Sequence, residues 1–226
     1  MMRLVLLVAA ALPVLAAAQD DYTLFGAGVR TRPKFDGSAE RTVDPIPVVR
    51  YYGQPWFART TQGILEGGAR WNMRPDLATG VQLAYEEGPL DHDPDASIGV
   101  HLEGDRMIGP APVNGLLRVR QHLNTNRGTE LDARATVGVY GGGGVAAGLF
   151  AQATWASGKK FEAYYGVHES GLLFVAVGAL ASYDLTHRWT LVGSIESRRL
   201  SDDAARSPIV ERRSGIYASA GLAYRF

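Results

Sequence analysis

The sequence of 226 residues has no cysteine. That excludes a disulfide framework, a thiolate metal site, a thiol nucleophile and a lipidated cysteine. An excess of charge is missing too: 23 Lys and Arg balance 23 Asp and Glu. A nucleic-acid partner calls for a clustered basic patch, and the sequence has none. Beyond the first twenty positions, no apolar run reaches the roughly 20 residues that a membrane-spanning helix takes. Helical periodicity is also scarce. In its place are period-two alternation of apolar and polar residues and 27 glycines.

The first residues have a separate character. Met1 to Arg3 make a short positive start, and Leu4 to Leu15 are apolar apart from Pro13. Ala16-Ala17-Ala18 then fits the small-x-small pattern of signal-peptide cleavage, with Gln19 as the first mature residue. Residues 1–18 are expected to be a cleaved signal peptide and 19–226 a single barrel domain. An exported chain without spanning helices is either a soluble periplasmic domain or a β-barrel.

The alternation favours the barrel. In the last segment Ile216, Ala218, Ala220, Leu222, Tyr224 and Phe226 share one apolar face. Tyr217, Ser219, Gly221, Ala223 and Arg225 share a smaller, more polar one. That is the lipid-out, lumen-in pattern of an outer-membrane strand. Leu131, Ala133, Ala135, Val137 and Val139 likewise alternate with Asp132, Arg134, Thr136 and Gly138. An Arg or Lys facing lipid at mid-depth costs about 2–4 kcal/mol, so the charged positions belong inside. Glu66, Arg70, Glu86, Arg118, Arg120, Asp132, Arg134, Glu196 and Arg198 are therefore the expected lumen-lining set. Leu222, Tyr224 and Phe226 form the expected C-terminal assembly signal.

The fold class that follows is all-β, an antiparallel up-and-down transmembrane barrel of about twelve strands. The strands are expected near 21–31, 44–53, 55–61, 64–73, 77–87, 97–107, 112–123, 128–139, 144–156, 171–184, 188–199 and 213–226. Turns such as Gly53-Gln54, Gly109-Pro110, Gly141 to Gly143 and Thr186-His187 are short. Loops 32–43, 88–96, 157–170 and 200–212 are long and polar. Short periplasmic turns and long outer loops are the usual asymmetry. With this topology Tyr22, Tyr51, Trp56, Trp71, Tyr183, Trp189, Tyr224 and Phe226 gather at the periplasmic rim, as an interfacial aromatic belt would. Tyr85 and Trp155 fall near the opposite rim.

Several segments resemble the MipA/OmpV family of outer-membrane proteins, the MltA-interacting proteins. The run from Pro45-Ile46-Pro47 through Tyr51-Tyr52-Gly53, followed by Trp56-Phe57-Ala58, is similar to that family's early hairpin. Phe161-Glu162-Ala163-Tyr164-Tyr165-Gly166-Val167 is similar to its tyrosine-rich loop. Leu185 to Leu191, Ser207-Pro208-Ile209-Val210 and the closing Gly221 to Phe226 resemble its C-terminal region. Residues 88–130 depart most. The resemblance implies an outer-membrane barrel of a Gram-negative bacterium. It also implies a scaffold joining a lytic murein transglycosylase to a murein synthase, or a porin-like role. It carries no catalytic motif.

Other candidate chemistry is thin. His92, His101, His122, His168 and His187 have no metal-ligand spacing. Ser97 and His101 share a face of one strand, as in barrel enzymes that work on lipid from the outer wall, but no third partner follows. Gly141 to Gly144 lack the Lys-Ser/Thr of a phosphate cradle and read as a tight turn. Asp91, Asp93 and Asp95 could meet divalent cations near lipopolysaccharide, but a solvated surface loop is the favoured reading. Arg198, Arg199, Arg206, Arg212 and Arg213 could meet lipopolysaccharide phosphates, or be solvated loop charges. No cofactor is called for. The partners expected are outer-membrane lipids and lipopolysaccharide, with the two murein enzymes as implied by the resemblance.

Three functions remain: a scaffold that offers its periplasmic turns to murein-remodelling enzymes, a narrow pore for small solutes, and a lipid-modifying enzyme. Twelve strands lie between the filled eight-stranded barrels and the open sixteen-stranded porins. The inward charges either line a channel or interlock and plug it.

Overall fold

The computed structural model describes residues 23–86 and 95–226. The expected leader 1–18, Tyr22 and most of the acidic loop, His92 included, lie outside the described residues. Twelve strands form one closed antiparallel barrel, each paired with its neighbours in the sequence and β1 with β12. They are β1 (Leu24–Pro33), β2 (Arg41–Tyr52), β3 (Trp56–Thr61), β4 (Ile64–Arg74), β5 (Leu77–Glu86) and β6 (Asp95–Ile108). The second half holds β7 (Ala111–His122), β8 (Thr129–Gly142), β9 (Val145–Ala156), β10 (Gly171–Asp184), β11 (Trp189–Leu200) and β12 (Ser214–Arg225). Closure gives every strand two neighbours, as crossing lipid with strands demands.

The walls follow the alternation. Ile98, Val100 and Leu102 on β6 stand exposed outside, as do Leu191 and Ile195 on β11. Arg106, which follows that apolar face, is exposed near the end of β6, toward the rim that carries both termini. Tyr51, Trp56, Trp71, Tyr183, Trp189 and Phe226 are all exposed on the outer wall toward the end that carries both termini. Tyr224 packs edge-on against Trp189 and Phe226, with ring centroids 5.2 and 4.9 Å apart.

The connections differ from expectation in four places. Loop 157–170 contains a helix, α1 (Gly158–Tyr165), and 200–212 contains a short one, α2 (Asp202–Ala205). Residues Thr125–Arg127 form a 3-10 turn. These segments are polar enough to read as loops, yet α1 buries Lys160, Phe161 and Tyr165, the 3-10 turn buries Arg127 and α2 buries Ala204. Phe161, Tyr165, Leu173, Phe174, Leu200 and Ala204 form one apolar cluster. Burial in that cluster pushes the Tyr165 phenol well above its ordinary range. The glycine-run turn sits later than expected: β8 extends to Gly142, and Gly143 and Gly144 alone make the loop, at φ 58° and 78°. Positive φ at both central residues is the geometry that matches the twist of paired strands, and glycine adopts it without steric cost.

Candidate functional site: a filled barrel interior

The inward faces of β3 to β9 carry a continuous polar network. Arg118 on β7 is its hub. Its guanidinium reaches Glu66 on β4 at 2.6 Å and Asp132 on β8 at 2.9 Å. Glu66 also takes Arg59 of β3 at 2.5 Å and Gln82 of β5 at 2.8 Å. Arg59 continues to Glu103 on β6. Gln82 meets His101 at 2.9 Å, and His101 packs edge-on against Phe57. Asp132 accepts from Thr154 of β9 at 2.8 Å and lies 3.3 Å from Arg120. Arg118, Glu66 and Asp132 are at most 2% exposed.

The network rises to the mouth opposite the termini. Arg120 meets Glu130 at 2.6 Å, and Glu130 meets Lys160 of α1 at 2.5 Å. Lys160 also lies 3.1 Å from His122, whose other ring nitrogen faces Asp95 at 3.1 Å. Phe161, the next residue of α1, is fully buried. A helix with one buried cation, Lys160, and two buried aromatic rings, Phe161 and Tyr165, therefore closes this side of the mouth. On the opposite wall Arg198 bridges Glu196 at 2.9 Å and Asp36 of the first outer loop at 2.7 Å, and Tyr217 donates to the same Asp36. Asp44 takes both Arg30 and Arg32. The β3–β4 hairpin tip crosses the interior: Gln62 donates to Glu196 at 2.6 Å, and its carbonyl accepts from Arg30 at 2.8 Å.

Of the expected lumen-lining residues, Glu66, Arg118, Arg120, Asp132, Glu196 and Arg198 thus lie inside the barrel in ion pairs. Arg70 is inside as well, 3.5 Å from Glu103 and over the Tyr52 ring. Arg134 faces inward but stacks on Phe150 at 3.9 Å. Glu86 ends β5, and its side chain lies outside the described part. Leu222 and Phe226 are exposed on the outer wall beside Tyr224. Ser97 and His101 are buried inside the barrel, not on the lipid side where a barrel enzyme would need them. Arg206 pairs with Asp203 in its own loop and with Glu169 in the β9–β10 loop, and Arg213 pairs with Asp202, so these arginines have partners within the loops of this chain. Among the described residues no group of three or more His, Asp or Glu could hold a metal ion.

Glu103 and Glu130 were missed, although each lies two residues from a noted position on the same face (His101 and Asp132). Lys160 gave no sequence signal, because its role depends on α1 folding back over the mouth.

The family described as MltA-interacting protein MipA matches residues 25–226. The chain belongs to this family. No curated protein matches the chain. Among solved structures, the NanC porin superposes with a TM-score of 0.56 at 12% identity, covering 90% of this chain and all of that one. A bacterial polysaccharide outer membrane secretin superposes at 0.50 with 9% identity, covering 91% and 99%. At such identities the likeness shows a shared outer-membrane barrel fold and nothing of solutes.

Proposed function

We propose that this MipA-family barrel is an anchor in the outer membrane of a Gram-negative bacterium, seated among lipopolysaccharide and lipid. Its periplasmic turns would serve as the docking points for murein-remodelling enzymes, a lytic transglycosylase and a murein synthase. The observation that carries this reading is the interior: ion pairs from β3 to β9 interlock, and α1 is bolted across the mouth by Lys160. An interior built for flow leaves its charges facing water, whereas these charges are spent on one another. The family's description as MltA-interacting supports a murein enzyme as partner. No catalytic constellation emerges from Ser97 and His101, which supports a non-enzymatic role.

The test has two arms. The refolded mature barrel, placed in a planar bilayer, should be silent or nearly so while remaining heat-modifiable. Immobilised barrel should retain a lytic transglycosylase from solubilised envelopes above a control barrel of similar size. Discrete solute-dependent conductance with no enzyme retained would favour the narrow-pore reading instead.

A further inference from the structure

Below the interlocked network the barrel is not full. A cavity of about 420 Å³ lies in the half nearer the termini. Small-molecule sites typically occupy about 300–1,000 Å³. Its walls are apolar where Ile46, Val48, Leu116, Phe150, Leu180 and Val192 line it. Three arginines, Arg50, Arg59 and Arg134, and one carboxylate, Glu103, also reach the cavity, and Glu103 is taken up by Arg59. Arg134 makes no ion pair among the described residues, in contrast to Arg59, Arg118, Arg120 and Arg198 around it. Its guanidinium carbon lies over the Phe150 ring, 3.9 Å from the centroid. A cation held over a ring in this way spends no N–H donor on a carboxylate, so its donors remain for an anion.

The cavity also adjoins a weak place in the wall. β2 pairs with β1 over ten residues but with β3 over three, ending at Arg50 opposite Arg59. β3 has six residues, where a crossing strand usually has about 9–11. A contributing feature is legible in β2. Gly53 donates to the carbonyl of Trp56, so the odd-numbered residues of this strand turn their backbone groups toward β3. Two of those, Pro45 and Pro47, have no N–H to give. Residues on both sides of the unpaired seam, Val48 and Val49 on one and Thr60 and Thr61 on the other, line the cavity.

We infer that this chamber binds a small amphipathic anion, its carboxylate or phosphate on Arg134 and its apolar body against the surrounding aliphatic wall. The seam between β2 and β3 admits it from the membrane. This goes beyond the anchor reading and does not depend on it. Octanoate is the probe, titrated calorimetrically into the full mature barrel in lipid nanodiscs, with empty nanodiscs as blank. One saturable site is expected, with octanol weaker by roughly ten- to a hundredfold, since a charge-assisted bond is lost. Arg134→Gln should lower octanoate to the octanol level. Leu180→Trp, which fills the chamber without touching a charge, should abolish both and covers the case that the arginine variant does not fold. No saturable binding by the native barrel, or undiminished octanoate binding by Arg134→Gln, overturns the site.

Because the chain has no cysteine, a Val49→Cys/Thr60→Cys pair can lock the seam selectively. Slower uptake of membrane-delivered probe by the oxidised than by the reduced protein supports the membrane route. Equal rates overturn that route and assign the ligand to the aqueous side. None of these readouts involves a murein enzyme, so this proposal and the anchor reading fail separately.

Discussion

Replacing Arg118 by alanine is the sharpest test of whether the interior is held by its network. Arg118 is 2% exposed and touches two carboxylates, Glu66 at 2.6 Å and Asp132 at 2.9 Å. Removing one partner of a buried ion pair costs about 3–5 kcal/mol, because the other charge stays behind unpaired. Here each carboxylate keeps other partners. Glu66 keeps Arg59 and Gln82, and Asp132 keeps Arg120 and Thr154. The loss is therefore expected at the low end, about 3 kcal/mol. Reversible urea unfolding in detergent, followed by tryptophan fluorescence, reads it directly. Arg118→Ala/Glu66→Gln should recover part of the loss, because the stranded charge is removed as well. The same variant should show measurable current in a planar bilayer, since the hub of the plug is gone. A change under about 1 kcal/mol together with an unchanged silent barrel would refute the reasoning. It would mean that the backbone ladder alone sets stability and that the plug lies elsewhere.

Three further outcomes follow from the geometry. Phe161→Ala should cost about 3–5 kcal/mol within the mouth cluster. Limited proteolysis should then nick the α1 segment while the strands stay protected, and Lys160→Met should do so more mildly. Gly143→Val should destabilise by about 1–2 kcal/mol, because a β-branched residue is forced to φ 58°. Gly115→Val, at a negative-φ position with only distant neighbours, is its control in the same urea assay. Truncation of Phe226 with Tyr224→Ala, which strips the aromatic chain against Trp189, should slow assembly of the heat-modifiable form several-fold relative to Phe25→Ala on the same rim.

The strands were legible because a barrel wall imposes one rule on every residue: odd positions meet one medium and even positions the other. A register slip of one residue would put Arg118 and Asp132 into lipid and Leu117 and Leu131 inside, at several kcal/mol. Such a code survives reading without neighbours, which is why twelve strands could be placed from sequence. The mouth follows no such rule. α1 reads as a polar loop, since only Phe161 and Tyr165 bury deeply. Its meaning arises when Lys160 meets Glu130, 30 residues away in the chain. The seam is an intermediate case. Pro45 and Pro47 were visible as part of a family resemblance, but their effect depends on which edge of β2 they face. That is fixed by the turn at Gly53 and so appears only with the paired strands. The same chemistry that removes two ladder donors from β2 also makes its open edge cheaper to leave unpaired, because two N–H groups that would need partners in lipid do not exist. Restoring them with Pro45→Val/Pro47→Val should therefore not simply zip the seam. If β3 still turns inward through Gln62 and Glu196, the two new donors face lipid without partners and the variant is destabilised. If the ladder extends, stability rises and the amides of Val48 and Val49 gain protection from hydrogen exchange. The direction of the stability change decides whether the prolines cause the seam or only make it tolerable.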